Sequence, residues 1–216
     1  MGFLLEITRE ESHRSSQLGI PYRIGTRRTR SNVGQTAWGL TKYFKLSPIY
    51  SFEPVSQSFA MLEDRYGQRV KCFRLAFGCE RAELAIQLHA DSELNSFKPT
   101  RESARQTGQE IVKVRTLDDF CTEHDIREIA VLKMDVQGWE DRVLEGARDL
   151  IGRRAIRFIF AEVGFRSRDT DMQDFAALNA MMDSLGFEFC GLYEPFRWGP
   201  AKLYCGFANA LYALPA

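Results

Sequence analysis

A chain of 216 residues that is 44% hydrophobic can bury one substantial core, and its 29 basic and 29 acidic residues cancel, so no global field recruits nucleic acid or an anionic membrane. Nothing in the sequence is long and apolar enough to span a bilayer, and the short run between Met1 and Glu6 is not a secretory leader, which makes a cytoplasmic setting the expectation. Five cysteines, an odd number without a Cys-x-x-Cys pair, fit small buried hydrophobes in a reducing compartment better than a disulfide framework or a zinc site.

In chain order, residues 1–31 form an irregular N-terminal segment in which only Leu18–Ile24 hints at structure and Pro21 discourages regular pairing; the domain is expected over residues 32–216. Its Arg27, Arg28 and Arg30 read as a solvated surface. Asn32–Phe44 reads as a helix with Trp38, Leu40, Tyr43 and Phe44 on one face, stopped by Pro48, and Ile49–Phe52 as a strand ending in Glu53 and Pro54. An acid at a strand end after a glycine-bearing turn is how Rossmann-like folds hold a nucleoside ribose, so Glu53 is a candidate for that contact.

Phe59, Leu62 and Tyr66 repeat at helical spacing before Gly67, and Val70–Ala76 reads as the next strand. Ala76 and Phe77 then stand at the same sheet edge, where they border an adenine ring or pack into core. Glu83–Leu88 is expected as a hairpin strand appended to the sheet, and His89–Gln109 as a long functional or irregular loop. Glu110–Arg115 is strand-like, and Thr116 is a natural cap for a short helix.

Ile129–Glu140 carries the strongest signal. Four apolar residues followed by Lys133, Met134, Asp135 and Val136 describe a buried strand whose carboxyl end turns polar as it leaves the sheet, with Lys133 and Asp135 on one side, Gly138 allowing a sharp turn and Glu140 opening a helix. Ligands of open α/β sheets sit beyond that edge, so Asp135 and Lys133 are candidate catalytic residues, and His89, beside the long loop, is an alternative base. Arg157–Val163 is a further buried strand ending on Glu162, Asp174–Leu185 a helix terminated by Gly186, and Phe187–Tyr193 with Leu203–Leu214 an antiparallel pair across a turn at Glu194–Lys202.

Leu132–Glu140, Leu-Lys-Met-Asp-Val-Gln-Gly-Trp-Glu, resembles the Leu-Lys-x-Asp-Val-x-Gly-x-Glu signature of FkbM-type methyltransferases, and the likeness extends to Asn32–Thr36, Phe52–Pro54, Thr116–Asp118 and Asn209. The resemblance implies an α/β, Rossmann-like doubly wound, mostly parallel sheet with an antiparallel C-terminal strand pair. It also implies S-adenosylmethionine as cofactor and O-methylation of a hydroxyl on a small acceptor such as a sugar or polyketide. By the same resemblance Asn32, Gly34 and Gln35 border the methionine part, Glu53 holds the ribose and Asp135 faces the reacting centre. A divalent metal held by Asp135 and Glu162 is the less favoured expectation.

Where related chains carry Asp-x-Gly-Ala-Asn-x-Gly, this one reads Arg28, Thr29, Arg30, Ser31, Asn32, Val33, Gly34, a degraded first strand and cofactor loop. That departure sets the alternative expectation, a binding module of the same fold without activity. A nicotinamide oxidoreductase is disfavoured because no Gly-x-Gly-x-x-Gly precedes the first helix. Neither nucleic acid nor membrane is expected as a partner, and the sequence fixes no oligomeric state.

Overall fold

The chain alternates strands and helices because its apolar residues switch between a period of two and a period near 3.6. A computed structural model describes residues 4–9 by their backbone, and residues 47–90, 92–98, 106–166 and 172–215. The described elements are β1 (Leu4–Arg9), β2 (Ile49–Phe52), α1 (Ser56–Tyr66), β3 (Lys71–Phe73), β4 (Ala76–Phe77), β5 (Ala82–His89), β6 (Gln106–Arg115), α2 (Leu117–Glu123), β7 (Ile129–Asp135), α3 (Glu140–Glu145), α4 (Arg148–Gly152), β8 (Ile156–Gly164), α5 (Phe175–Ser184), β9 (Glu188–Trp198) and β10 (Tyr204–Ala213), with one 3-10 turn at Ser92–Leu94 and another at Pro200–Lys202. The expected helix at Asn32–Phe44 and the residues Arg28, Arg30, Asn32, Gly34 and Gln35 lie outside the described residues.

The architecture is α/β with mixed sheets. A seven-stranded sheet runs in the order β3-β2-β1-β7-β8-β10-β9, and β4, β6 and β5 make a separate three-stranded sheet. β2 is parallel to β3, and β7 to β8, whereas β1 opposes both its neighbours and β10 opposes both of its own. The antiparallel ending therefore stands as expected, but the sheet is more mixed than a doubly wound parallel one.

Four expectations need correction. A strand in the centre of the sheet comes from Leu4–Arg9, in the segment taken as irregular; its Leu5, Ile7 alternation with Glu6 and Thr8 is the signal that marks it. The single strand over Val70–Ala76 is two, β3 pairing with β2 and β4 with β6. The strand from Ala82 pairs antiparallel with β6 in the second sheet and is not appended to the first. β9 runs on to Trp198, past the proposed start of the turn at Glu194, which instead holds a residue at φ 51° within the strand.

The core fills the space against β2, β7 and β8. Phe52 meets the rings of Phe77 at 4.7 Å and Phe120 at 4.8 Å edge-on, and Phe73 meets Phe120 at 5.0 Å. Thr116, as expected, accepts from the Asp119 N–H at 3.1 Å to start α2. Asp118 uses both carboxylate oxygens on the next helix, accepting from Asp149 N at 2.9 Å and Leu150 N at 3.0 Å, so the Thr-Leu-Asp stretch fastens α2 to α4. Gly146 lies in this joint, where an added Cβ would stand 2.0 Å from the Gly78 carbonyl oxygen and 3.3 Å from the Thr116 Cα. Because those are backbone atoms, Gly146→Ala is expected to cost about 2 kcal/mol, read as a lowered urea midpoint; an unchanged midpoint would mean that the joint relaxes freely.

Candidate active site

The parallel strands β2, β7 and β8 end on one edge of the main sheet, and each ends with an acid. Leu4 pairs with Asp135, Leu5 with Phe52, and Met134 with Ala161, so Glu53, Asp135 and Glu162 fall in one row, with Asn209 of β10 opposite Glu162. At roughly 4.8 Å between strands, Glu53 and Asp135 are about 10 Å apart.

Glu53 is 2% exposed. Burial pushes its carboxyl up to about 8, an effect only partly offset by the Val55 N–H that donates to its Oε1 at 2.9 Å. Asp135 is held from two sides. Lys133 Nζ lies 3.6 Å from its Oδ2, as expected of residues two apart on a strand, and Gln137 Nε2 donates to its Oδ1 at 3.1 Å. Lys133 Nζ also donates to the Met134 carbonyl at 3.1 Å, so the cation is anchored beside Asp135 in a buried position.

After Asp135 the chain turns through Gln137 at φ 51° and Gly138 at φ 79°, which confirms the sharp turn expected at the glycine. The turn folds the Glu140 side chain inward, where its Oε1 accepts from the Val136 N–H at 3.2 Å and its Oε2 is buried without a hydrogen-bond partner. Burial raises the Glu140 carboxyl to about 7. Glu162 is pushed well above the carboxylate range by burial and by Asp135 beside it, and its Oε2 accepts from Gln137 Nε2 at 3.4 Å. Lys133 is thus surrounded by more buried carboxyls than one cation can balance, and the protons stay on Glu140 and Glu162.

Asn209 is buried next to Glu162. Its Nδ2 donates to the Glu194 carboxylate at 3.4 Å, an acceptor that fixes which way the amide faces and leaves Oδ1 buried without a donor. Glu140 and Gln137 had been read only as a helix-opening acid and a turn residue; the signal that places them here is the spacing of two and five residues after Asp135.

Other expected residues lie elsewhere. Ala76 and Phe77 are fully buried, and the Phe77 ring packs edge-on against Phe52 and Phe120, so it offers no exposed face to an adenine. His89 ends β5 in the smaller sheet, buried, with its backbone N–H donating to Asn95 Oδ1 at 2.9 Å. The bonds that Asp135, Glu140 and Glu162 make go instead to Lys133, Gln137 and the Val136 N–H. Among the described residues no group of three or more His, Cys, Asp or Glu is arranged to hold a metal ion, and no helix is long and apolar enough to cross a membrane.

Residues 24–189 match the family described as the methyltransferase FkbM domain. The chain belongs to that family. It is 25% identical over 197 residues to "Methyltransferase 1" of Beauveria bassiana (strain ARSEF 2860), a match that covers 80% of this chain and 74% of that protein. Its fold is similar to the crystal structure of methyltransferase FkbM from Methylobacillus flagellatus KT, with a TM-score of 0.50 at 18% identity over 84% of this chain. The chain spans only 40% of that neighbour's length. Within the FkbM signature, Lys133, Asp135, Gly138 and Glu140 are thus the ion pair, the turn and the inward-facing acid of one buried site.

Proposed function

We propose that this chain is an S-adenosylmethionine-dependent O-methyltransferase acting on a hydroxyl of a small acceptor, a sugar or polyketide-like metabolite. The observation that carries the reading is the row of buried acids on one sheet edge, with Glu53 at one end and the Lys133–Asp135 pair in the middle. The cofactor supplies an electrophilic methyl group on sulfur. Glu53, protonated at neutral pH and fixed by the Val55 N–H, can both give and accept a hydrogen bond, which suits the two ribose hydroxyls. Asp135 has about four lone-pair directions, of which Gln137 and Lys133 take two; the remainder can orient an acceptor hydroxyl and take its proton as the oxygen–methyl bond forms. A metal enters no part of this scheme, and a cytoplasmic location is retained on the sequence alone.

Calorimetric titration with S-adenosylmethionine tests it. Glu53→Ala is expected to weaken binding by about tenfold to a hundredfold, since it removes hydrogen bonds worth roughly 1.5 to 3 kcal/mol. Equal affinity in the folded variant would take Glu53 out of the site.

One observation favours a second reading, the same fold with impaired cofactor binding. β1 runs against β2 and β7, so its amino end, not its carboxyl end, reaches the acidic edge beside Asp135, and no strand-to-helix turn follows it there. Together with Arg28 and Arg30 in place of Asp and Gly, this predicts that the double change Arg28→Asp with Arg30→Gly tightens S-adenosylmethionine binding by at least about tenfold, near 1.4 kcal/mol. No change in the same titration would clear both arginines of any influence on the cofactor.

A further inference from the structure

We propose that Gln137 is the positioning residue of this site: its carboxamide ties the Asp135 and Glu162 carboxyls together, and Ser96 holds Gln137 in place from the long loop. What Asp135 then does rests on the methyl-transfer reading, but the tie itself does not.

One nitrogen, Gln137 Nε2, lies 3.1 Å from Asp135 Oδ1 and 3.4 Å from Glu162 Oε2, and all three residues are buried. An amide nitrogen has two hydrogens, one for each carboxyl, and a neighbouring acceptor on either side leaves no choice of amide orientation. A glutamate at this position would bring a further buried acid where Asp135, Glu140 and Glu162 already outnumber Lys133; a glutamine brings donors. Glu194, reaching Asn209 on the far side of Glu162, is the next charged group along the edge.

The backbone of Gln137 is secured separately. At φ 51° it is in the left-handed region that residues with a Cβ seldom adopt, and its carbonyl accepts from Ser96 Oγ at 3.1 Å. Ser96 is fully buried; the same Oγ accepts from Lys98 N at 3.0 Å, and its backbone exchanges bonds of 2.9 and 3.3 Å with Gln87 of β5. Phe97 packs on Trp139, ring centroids 5.0 Å apart, on the other side of the turn. The segment at Asn95–Lys98 is therefore a clamp between the second sheet and the turn that carries Gln137, a use for the long loop that its polar composition does not reveal.

The test is infrared spectroscopy of the full chain without ligand at pH 7, following carboxylic-acid C=O stretching. The band lost in Glu162→Gln identifies the Glu162 carboxyl. Gln137→Asn keeps a residue tolerant of positive φ but withdraws the amide by one methylene, so the Glu162 band should move to higher frequency and the pH at which it bleaches should move as well, with the urea midpoint nearly kept. Ser96→Ala should move the same band in the same direction by a smaller amount, and Gln137→Met serves where the asparagine variant does not fold. A Glu162 band unmoved in a folded Gln137 variant, or no band lost in Glu162→Gln, overturns the proposal. Because no cofactor is present, a protein that fails to bind S-adenosylmethionine yet shows the shifted band would sink the methyl-transfer reading and leave the tie intact.

Discussion

Asp135→Asn is expected to slow methyl transfer by about a hundredfold or more while leaving affinity for S-adenosylmethionine within about twofold. The asparagine occupies the same volume and can still meet Gln137 and Lys133, so the turn and the cofactor edge should persist. What disappears is the carboxylate, and with it the group that takes a proton from the acceptor hydroxyl. The change also leaves Lys133, anchored 3.6 Å away and buried, without its counter-charge, so a modest loss of stability accompanies the loss of rate. Release of S-adenosylhomocysteine in the presence of small hydroxyl acceptors, set beside a cofactor titration, separates the two effects. Undiminished release would reduce Asp135 to a structural partner of Lys133.

The second large effect is on stability against pH. Glu53 is raised to about 8 and Glu140 to about 7 by burial, both from an ordinary 4.5, and Glu162 moves in the same direction. Between pH 4.5 and about 7 the unfolded chain has ionised these groups while the folded chain keeps their protons, so folding takes up protons and stability falls as pH rises. Each of the first two carboxyls contributes on the order of 3 to 5 kcal/mol to that fall, complete only above about pH 8. Glu123, held low by Arg115 on the surface, works in the opposite sense but is fully exposed. Urea unfolding should therefore show a protein markedly more stable at pH 5 than at pH 8, with the gap narrowed in Glu53→Gln and narrowed further when Glu140→Gln is added. Equal midpoints at the two pH values would mean that these carboxyls are better solvated or better paired than their burial implies.

Much of the fold was legible because its strongest elements carry local signals. Ile129–Asp135 is apolar until its last residues, Thr116 and Asp174 cap their helices by side-chain hydrogen bonds, and the final strands alternate. The misses share a cause, since partner choice is not encoded locally. One apolar run, Val70–Ala76, serves two sheets, and no feature of that run names β2 for one half and β6 for the other. Leu4–Arg9 is only six residues of modest alternation, and its place between β2 and β7 depends on residues far along the chain. At the site, Glu53, Lys133 and Asp135 were visible because they sit at strand ends. Phe77 looked like a ring-binding residue until Phe52 and Phe120, distant in sequence, closed around it, and Gln137 gave no sign that its amide would meet an acid from another strand.

The central claim is that Glu53, Asp135 and Glu162 form one edge across which the cofactor lies. A crystal structure of the chain with S-adenosylhomocysteine tests it directly. The account predicts the ribose hydroxyls within hydrogen-bond distance of the Glu53 carboxyl and the sulfur on the Asp135 side of the row; a nucleoside bound away from Glu53, or its sulfur turned away from Asp135, would contradict it.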